Sequence, residues 1–405
     1  AGAWQELALR RPNEAVTAME EREKERQGSL RERLAQARRL VVKVGSSSVV
    51  DPGGQPRWEF VRALARELHT WMEGPPRRQA VVVSSGAVAL GWPLLGWRRR
   101  PLAMADKQAA AAVGQARLME VYRLAFEPLG RPVAQVLLTA DDIRHRTRFI
   151  HAFRTLECLL ARGAVVVVNE NDTVAVDEIR VGDNDTLSAM VAVLVEADLL
   201  VMLSDVDGIY SADPRRDPSA RRIAVVEDVE ELAATLAEGR PGALGTGGAR
   251  TKLAAARVAT AAGSAVVVAA ARPGVLRQVL AGEEVGTLFV PRARALRGKQ
   301  RWLAFYAACQ GRIVVDDGAR RALVSGGKSL LVQGIVAVEG EFPAGSVVQL
   351  VDGRGAEVGR GVVAYAADEL RRVLGAGRAR GEPSNGRAAL EGPQEVVHRN
   401  NLVLL

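Results

Sequence analysis

From Leu40 onward the chain alternates short, mostly apolar runs with segments in which apolar residues recur every three or four positions. The runs are Leu40–Val44, Ala80–Val83, Val133–Leu138, Ala164–Val168, Leu199–Leu203 and Ala265–Ala270. Strands that are apolar on both faces fit a parallel sheet covered by helices on each side. Between them, Phe60, Leu64, Leu68 and Trp71 recur at spacings of four and three within residues 59–73. Val113, Leu118, Val121 and Ala125 mark a second helix over 110–126. Strand and helix in alternation predict right-handed crossovers and an α/β fold, a three-layer sandwich with a mostly parallel central sheet. In such sheets ligands sit beyond the carboxyl ends of the strands, so chemistry is expected in the residues that follow each strand.

The texture changes twice more. Residues 1–38 are dense in Arg and Glu with weak periodicity, and read as a charged helix or frayed arm to which no chemistry is assigned. After about Gly298 come short alternating strands, Ile313–Val315, Ile335–Val338, Val347–Val351 and Val358–Tyr365, separated by Gly-rich turns. The expected organisation is therefore a main domain over 39–297, a small β-rich domain over 298–380, and a flexible segment with the C-terminal end over 381–405. The stretch from Gly375 to Glu395, rich in Gly, Pro and Arg, reads as a loop.

A chain of 405 residues with 48% hydrophobic content can bury a large core. Cys158 and Cys309 fall in no metal or disulfide pattern, which favours a reducing compartment. No apolar run reaches the length of about 18 residues needed to span a membrane, and the N-terminus is charged where a signal peptide is apolar. A cytoplasmic protein without membrane contact is expected. The net charge of +8 is spread among arginines interleaved with acids, so it does not by itself single out a nucleic-acid partner. The identity of the cations is more informative. Of 55 basic residues only six are lysines, Lys24, Lys43, Lys107, Lys252, Lys299 and Lys328. Where lysine persists in an arginine-rich chain, the question is whether the chemistry needs a compact point charge in place of a planar fork.

Lys43 lies inside the first strand, ahead of Gly45-Ser46-Ser47-Ser48. A lysine in an apolar strand is costly unless an anion meets it, and the glycine and serines that follow offer amides and hydroxyls to phosphate oxygens. The second strand ends in Ser84-Ser85-Gly86-Ala87 and runs into a helical pattern, either a plain cap or a second set of donors at the same sheet edge. Asn169-Glu170-Asn171-Asp172 follows a strand, and Gly182-Asp183-Asn184-Asp185 opens a helix. So many carboxylates and amides at one edge imply a ligand bearing cationic or ammonium groups. Leu203-Ser204-Asp205-Val206-Asp207-Gly208 is an acidic turn after another strand. Gly245-Thr246-Gly247-Gly248-Ala249-Arg250-Thr251-Lys252 is a Gly-rich loop entering a helix, suited to phosphate, without the order of a Walker A loop. Together these parts suit phosphoryl transfer to a carboxylate, where positioning and charge neutralisation dominate and no general base is needed.

The series of motifs resembles the amino acid kinase superfamily, and within it the glutamate 5-kinase family, from about Leu40 to Phe289. Residues 311–375, with Val314-Val315-Asp316-Asp317-Gly318-Ala319 and Ser329-Leu330-Leu331, resemble a PUA domain, and Val397-His398-Arg399 resembles the closing segment of the glutamate 5-kinase family. The resemblance implies ATP and L-glutamate as substrates, Mg²⁺ as cofactor bound mainly through ATP with no protein ligand assigned, feedback inhibition by proline, and a homo-oligomer, dimer or tetramer. It implies that Lys43 and Lys252 hold phosphates and stabilise the transferring group, and that Ser85, Asp172 and Asn184 bind glutamate. By the same resemblance Ser204 and Asp205 would line the nucleotide site with Thr246, Gly247, Gly248, Ala249, Arg250, Thr251 and Lys252, while Asp183 and Asp185 would organise the lysines and Mg²⁺. An unstable acyl phosphate makes a glutamyl phosphate reductase a candidate partner, and the PUA-like domain points to RNA. The chain departs from the pattern at Arg180, where the family usually has lysine, a change that bears on glutamate or proline affinity. Rivals of the same fold act on aspartate, acetylglutamate, carbamate or a nucleoside monophosphate; the acidic-amide pair of motifs and the PUA-like tail weigh against them.

Overall fold

The computed structural model describes residues 28–175, 184–215, 217–238, 247–292, 299–379 and 394–404. The chain divides into two compact units, one of residues 1–140 and 151–295, the other of 141–150 and 296–405.

The first unit is built on an eight-stranded sheet in the order β3-β4-β2-β1-β5-β7-β8-β6. The strands are β1 (Arg39–Val44), β2 (Gln79–Ser84), β3 (Val133–Leu138), β4 (Val165–Glu170), β5 (Leu199–Ser204), β6 (Val225–Val226), β7 (Ala265–Ala270) and β8 (Thr287–Phe289). All pairings are parallel except β7 with β8. The six predicted apolar runs are six of these strands, and Leu40, Val42, Val82, Val167, Val201 and Val267 are wholly buried in the core. β1 pairs with β2 on one side and β5 on the other. The chain leaves β1 in one direction and returns beside it, which creates a crevice beyond its carboxyl end.

Helices cover the sheet: α1 (Trp58–Glu73), α2 (Ala87–Leu94), α3 (Met104–Phe126), α4 (Arg146–Ala161), α5 (Asn184–Leu194), α6 (Val229–Glu238), α7 (Gly247–Ala261) and α8 (Val275–Leu280). In α1 the stripe Phe60, Leu64, Leu68 and Trp71 is buried as the spacing predicts. Truncating wholly buried Leu68 to alanine removes about 2–5 kcal/mol. The second helix begins at Met104, six residues before the predicted start at 110. Its first turns carry Lys107 and Gln108 on a partly exposed surface, so the apolar period that announces the helix begins only later.

Residues 1–27 of the charged extension lie outside the described part, but 28–36 are helical and packed rather than frayed. Arg31 is only 2% exposed. Its guanidinium donates to the carbonyls of Ala224, Glu283, Val285 and Gly286, which offsets the cost of burying it.

The second unit holds a five-stranded sheet, β11-β9-β12-β13-β15, and a two-stranded pair of β10 with β14. Its strands are β9 (Gly311–Val315), β10 (Leu330–Leu331), β11 (Ile335–Glu339), β12 (Val347–Val351), β13 (Glu357–Val362), β14 (Glu395–Val397) and β15 (Leu402–Leu404). Ile313, Leu330, Val348, Leu350, Leu370 and Val396 form its core. Three helices, α9 (Lys299–Phe305), α10 (Asp317–Gly326) and α11 (Ala367–Ala379), join it. The predicted loop from Gly375 is therefore helical to Ala379 and ends in strand at Glu395; residues 380–393 lie outside the described part.

Candidate active site

The candidate site stands at the carboxyl edge of the first sheet. Lys43 is the fifth residue of central strand β1, opposite Val83 on β2 and Met202 on β5, and is 8% exposed. Its Nζ lies 2.6 Å from Oδ1 of Asp185, the second residue of α5. Lys252, in the second turn of α7, places Nζ 3.1 Å from Oδ2 of the same carboxylate. Thr251 donates its hydroxyl to that oxygen at 2.9 Å. Asp185 is 1% exposed. Burial pushes its carboxyl up, but Lys43 and Lys252 outweigh burial and, with the Thr251 hydrogen bond, hold it below the ordinary carboxylate value. Two ammonium groups on one carboxylate leave an excess positive charge in a largely dry place, which an incoming phosphoryl group would neutralise.

To one side lies a cavity of about 370 Å³ lined by Asp205, Tyr210, Pro214, Leu236, Gly248 and Lys252. Ala249 lines it too, so the first turn of α7 turns its amides toward the space where phosphates would lie. To the other side is a polar cavity of about 420 Å³ that brings together Ser85, Asp172 and Asn184, the three residues predicted to hold the acceptor. Asn184 donates Nδ2 to Ser85 Oγ. Its Oδ1 is buried and has no hydrogen-bond partner among the described residues, an acceptor left for a ligand. Beneath Ser85, the hydroxyl of buried Tyr122 donates to Ser84 Oγ at 2.8 Å, and Ser84 Oγ donates to the Ser85 carbonyl at 2.9 Å.

The structure separates the remaining expected residues. Ser204, at the end of β5, donates to Asp205 Oδ1 at 2.9 Å and lines a further cleft with Asp205 in place of the nucleotide cavity. Arg250 is exposed, and Thr251 acts on Asp185. Arg180, Asp183 and Thr246 lie outside the described residues. The sequence motifs do not single out Arg100 and Lys107, which line the acceptor cavity from outside any strand end.

A mostly parallel sheet with two lysines meeting on one carboxylate between a nucleotide-sized cavity and a polar acceptor cavity defines a phosphotransferase. The family model for the amino acid kinase family matches residues 38–270, and that for the PUA domain matches residues 311–380. The chain belongs to the amino acid kinase family. Two relatives narrow the class, and both are glutamate 5-kinases. The protein from Geobacter sulfurreducens is 45% identical over 376 residues, 92% of this chain and 99% of its own length. That from Carboxydothermus hydrogenoformans is 46% identical over 377 residues, 93% of this chain and 100% of its own.

Proposed function

We propose that this chain transfers the γ-phosphoryl group of ATP to the γ-carboxylate of L-glutamate, giving L-glutamyl 5-phosphate, the first step of proline biosynthesis, under feedback inhibition by proline. The observation that carries this reading is the Lys43–Asp185–Lys252 cluster between two cavities. A carboxylate oxygen of glutamate attacks the γ-phosphorus as the bond to the bridging oxygen of ADP breaks; no proton moves. Two anions meet in this step, so the site's task is to align them and to spread positive charge over the moving group. Lys43 and Lys252 supply that charge, and Asp185 keeps both ammonium groups aimed. Ser85, Asn184 and Asp172 hold the acceptor, with Asp172 taking its ammonium group. Ile209, Tyr210, Pro214 and Leu236 offer an apolar slot to the base.

Mg²⁺ belongs to the nucleotide in this reading, neutralising phosphate oxygens. Both oxygens of Asp185 face ammonium groups, so this carboxylate does not fit a metal, and no step is routed through the ion. A homo-oligomer, dimer or tetramer, belongs to the same reading. A glutamyl phosphate reductase is the partner that would consume the acyl phosphate, and the cytoplasm is the setting.

The test is γ-glutamyl hydroxamate formation from ATP, Mg²⁺, hydroxylamine and L-glutamate, with aspartate and acetylglutamate alongside and proline as inhibitor. Product with glutamate alone, suppressed by proline, is the expected outcome; turnover of another acceptor overturns the substrate assignment. The second unit carries a separate cavity of about 750 Å³ whose lining mixes Lys328, His398 and Arg399 with Asp316 and Glu395; RNA binding by this unit rests on its match to the PUA domain. Filter binding of RNA that is absent at low salt disposes of this part.

A further inference from the structure

Of the lysines that an arginine-rich chain retains, Lys43 and Lys252 meet on Asp185, and the described part of the first unit holds one more, Lys107. It is the fourth residue of α3 and lines the acceptor cavity with Ser85, Asn169, Glu170, Asp172 and Asn184. Among the described residues its ammonium group makes no ion pair or hydrogen bond, which distinguishes it from the other two.

The helix that carries it is tied to the walls of that cavity. Gln108 donates Nε2 to the carbonyl of Ala175 at 3.1 Å, three residues after Asp172. Asn169 donates Nδ2 to Gln115 Oε1 at 2.9 Å. These bonds hold the first half of α3 against the end of β4 and the loop after it, which keeps Lys107 beside the cavity.

The lining also sorts by charge. Glu170 and Asp172 supply carboxylates; Lys107, Arg100 and the amides at the start of α2, from Ala87 to Ala89, supply cations and donors. An α-amino acid presents an ammonium and a carboxylate on the same carbon, and such a lining can grip both at once. Glutamate's second carboxylate, two methylenes away, is then free to reach past Asn184 toward the lysines on Asp185.

Resting on the kinase reading above, we infer that Lys107, assisted by Arg100, holds the α-carboxylate of the acceptor, the one that does not react, and so selects amino acids that carry two carboxylates. A compact ammonium suits this position, because a partly enclosed cavity that must also admit an α-ammonium has little room for a planar fork.

The experiment is equilibrium calorimetry of the full chain, saturated with Mg²⁺ and a non-hydrolysable ATP analogue, with three ligands: L-glutamate, glutarate, which lacks the α-ammonium, and 4-aminobutyrate, which lacks the α-carboxylate. Lys107→Gln is expected to weaken glutamate and glutarate about 10- to 100-fold, the range for a lost charge-assisted hydrogen bond, and to leave 4-aminobutyrate and the nucleotide within about 2-fold. Lys107→Arg should recover part of the loss. Equal weakening of 4-aminobutyrate, or unchanged glutamate affinity, overturns the inference; the first would mean that Lys107 serves Glu170 and Asp172 instead of the ligand. Binding of the nucleotide analogue reports that each variant is folded. Should Lys107→Gln fail to fold, Arg100→Gln, at an exposed position, gives the same discrimination at about 3- to 10-fold, and its absence sinks the idea. Turnover by the unaltered chain is measured separately: if glutamate binds with the expected pattern and is not phosphorylated, the kinase reading fails and the role of Lys107 stands.

Discussion

Gly91 and Gly114 bring α2 and α3 together backbone to backbone. A Cβ on Gly91 would fall 1.8 Å from the carbonyl oxygen of Ala110, and one on Gly114 would fall 1.8 Å from that of Ala87. Neither contact can be relieved by a side chain rotating away, since both obstacles are main chain. Ala87 directly follows the Ser85-Gly86 turn, so this crossing sets where the Ser85 hydroxyl, proposed to bind the acceptor, stands.

Gly114→Ala is therefore expected to force the helices apart, at about 1–3 kcal/mol or more of overpacking. The midpoint of urea unfolding should fall. In protein that remains folded, KM for glutamate should rise several-fold while KM for ATP hardly moves, because the nucleotide cavity lies on other elements. An equal rise in both would mean that the crossing supports the unit as a whole and not the acceptor side in particular.

Lys252→Ala removes one of the two ammonium groups that meet on Asp185 and are proposed to face the transferring phosphoryl group. The expected loss is on the order of 10²- to 10³-fold in kcat, as for other deleted electrostatic contacts to a transition state. Thermal unfolding should change little, since Lys43 remains on Asp185 at 2.6 Å. Near-normal turnover would show that α7 is not the phosphate clamp.

Asp185 links the site to stability through pH. Its carboxyl lies below the ordinary value in the folded chain, so the unfolded chain binds its proton at a higher pH than the folded chain does. The stabilisation is full above the unfolded value of about 3.9 and is lost as the pH falls through the folded value. Asp185→Asn should destabilise the first unit by roughly 3–5 kcal/mol at pH 7, the cost of breaking a buried ion pair. That gap should narrow only at pH below about 3.9. A gap that closes between pH 7 and pH 5 would contradict this account.

Much of the fold and of the site is legible in the sequence alone. Five of the six parallel strands declare themselves because burial on both faces leaves mostly apolar residues, while β3, at the sheet edge, is only partly buried, and the edge of the sheet where Lys43 and Asp185 meet follows from the strand ends. Lys107 is not legible as a site residue, because it lies on a helix and belongs to no strand-end motif; its only signal is its rarity as a lysine. The packed state of Arg31 is hidden for a different reason. A guanidinium that donates to four backbone carbonyls looks, in one dimension, like any other charge in a charged segment. The start of α3 escapes the periodicity because its first turns are partly exposed and carry no apolar period.

Tyr122 offers a test of how far the acceptor turn depends on what lies beneath it. It is wholly buried, and burial raises its hydroxyl well above the ordinary value against the opposing pull of the Ser84 hydrogen bond, so it remains a neutral donor throughout the working pH range. Tyr122→Phe keeps the ring, and with it the packing, but leaves Ser84 Oγ without its donor while Ser84 still donates to the Ser85 carbonyl. A buried hydroxyl that loses one partner costs about 1–3 kcal/mol, which urea unfolding would register. If the relay also aims Ser85, KM for glutamate should rise about 2- to 5-fold with kcat nearly constant, the pattern of weakened uniform binding. Loss of stability with an unchanged KM would confine Tyr122 to the core and leave Asn184 alone to place the Ser85 hydroxyl.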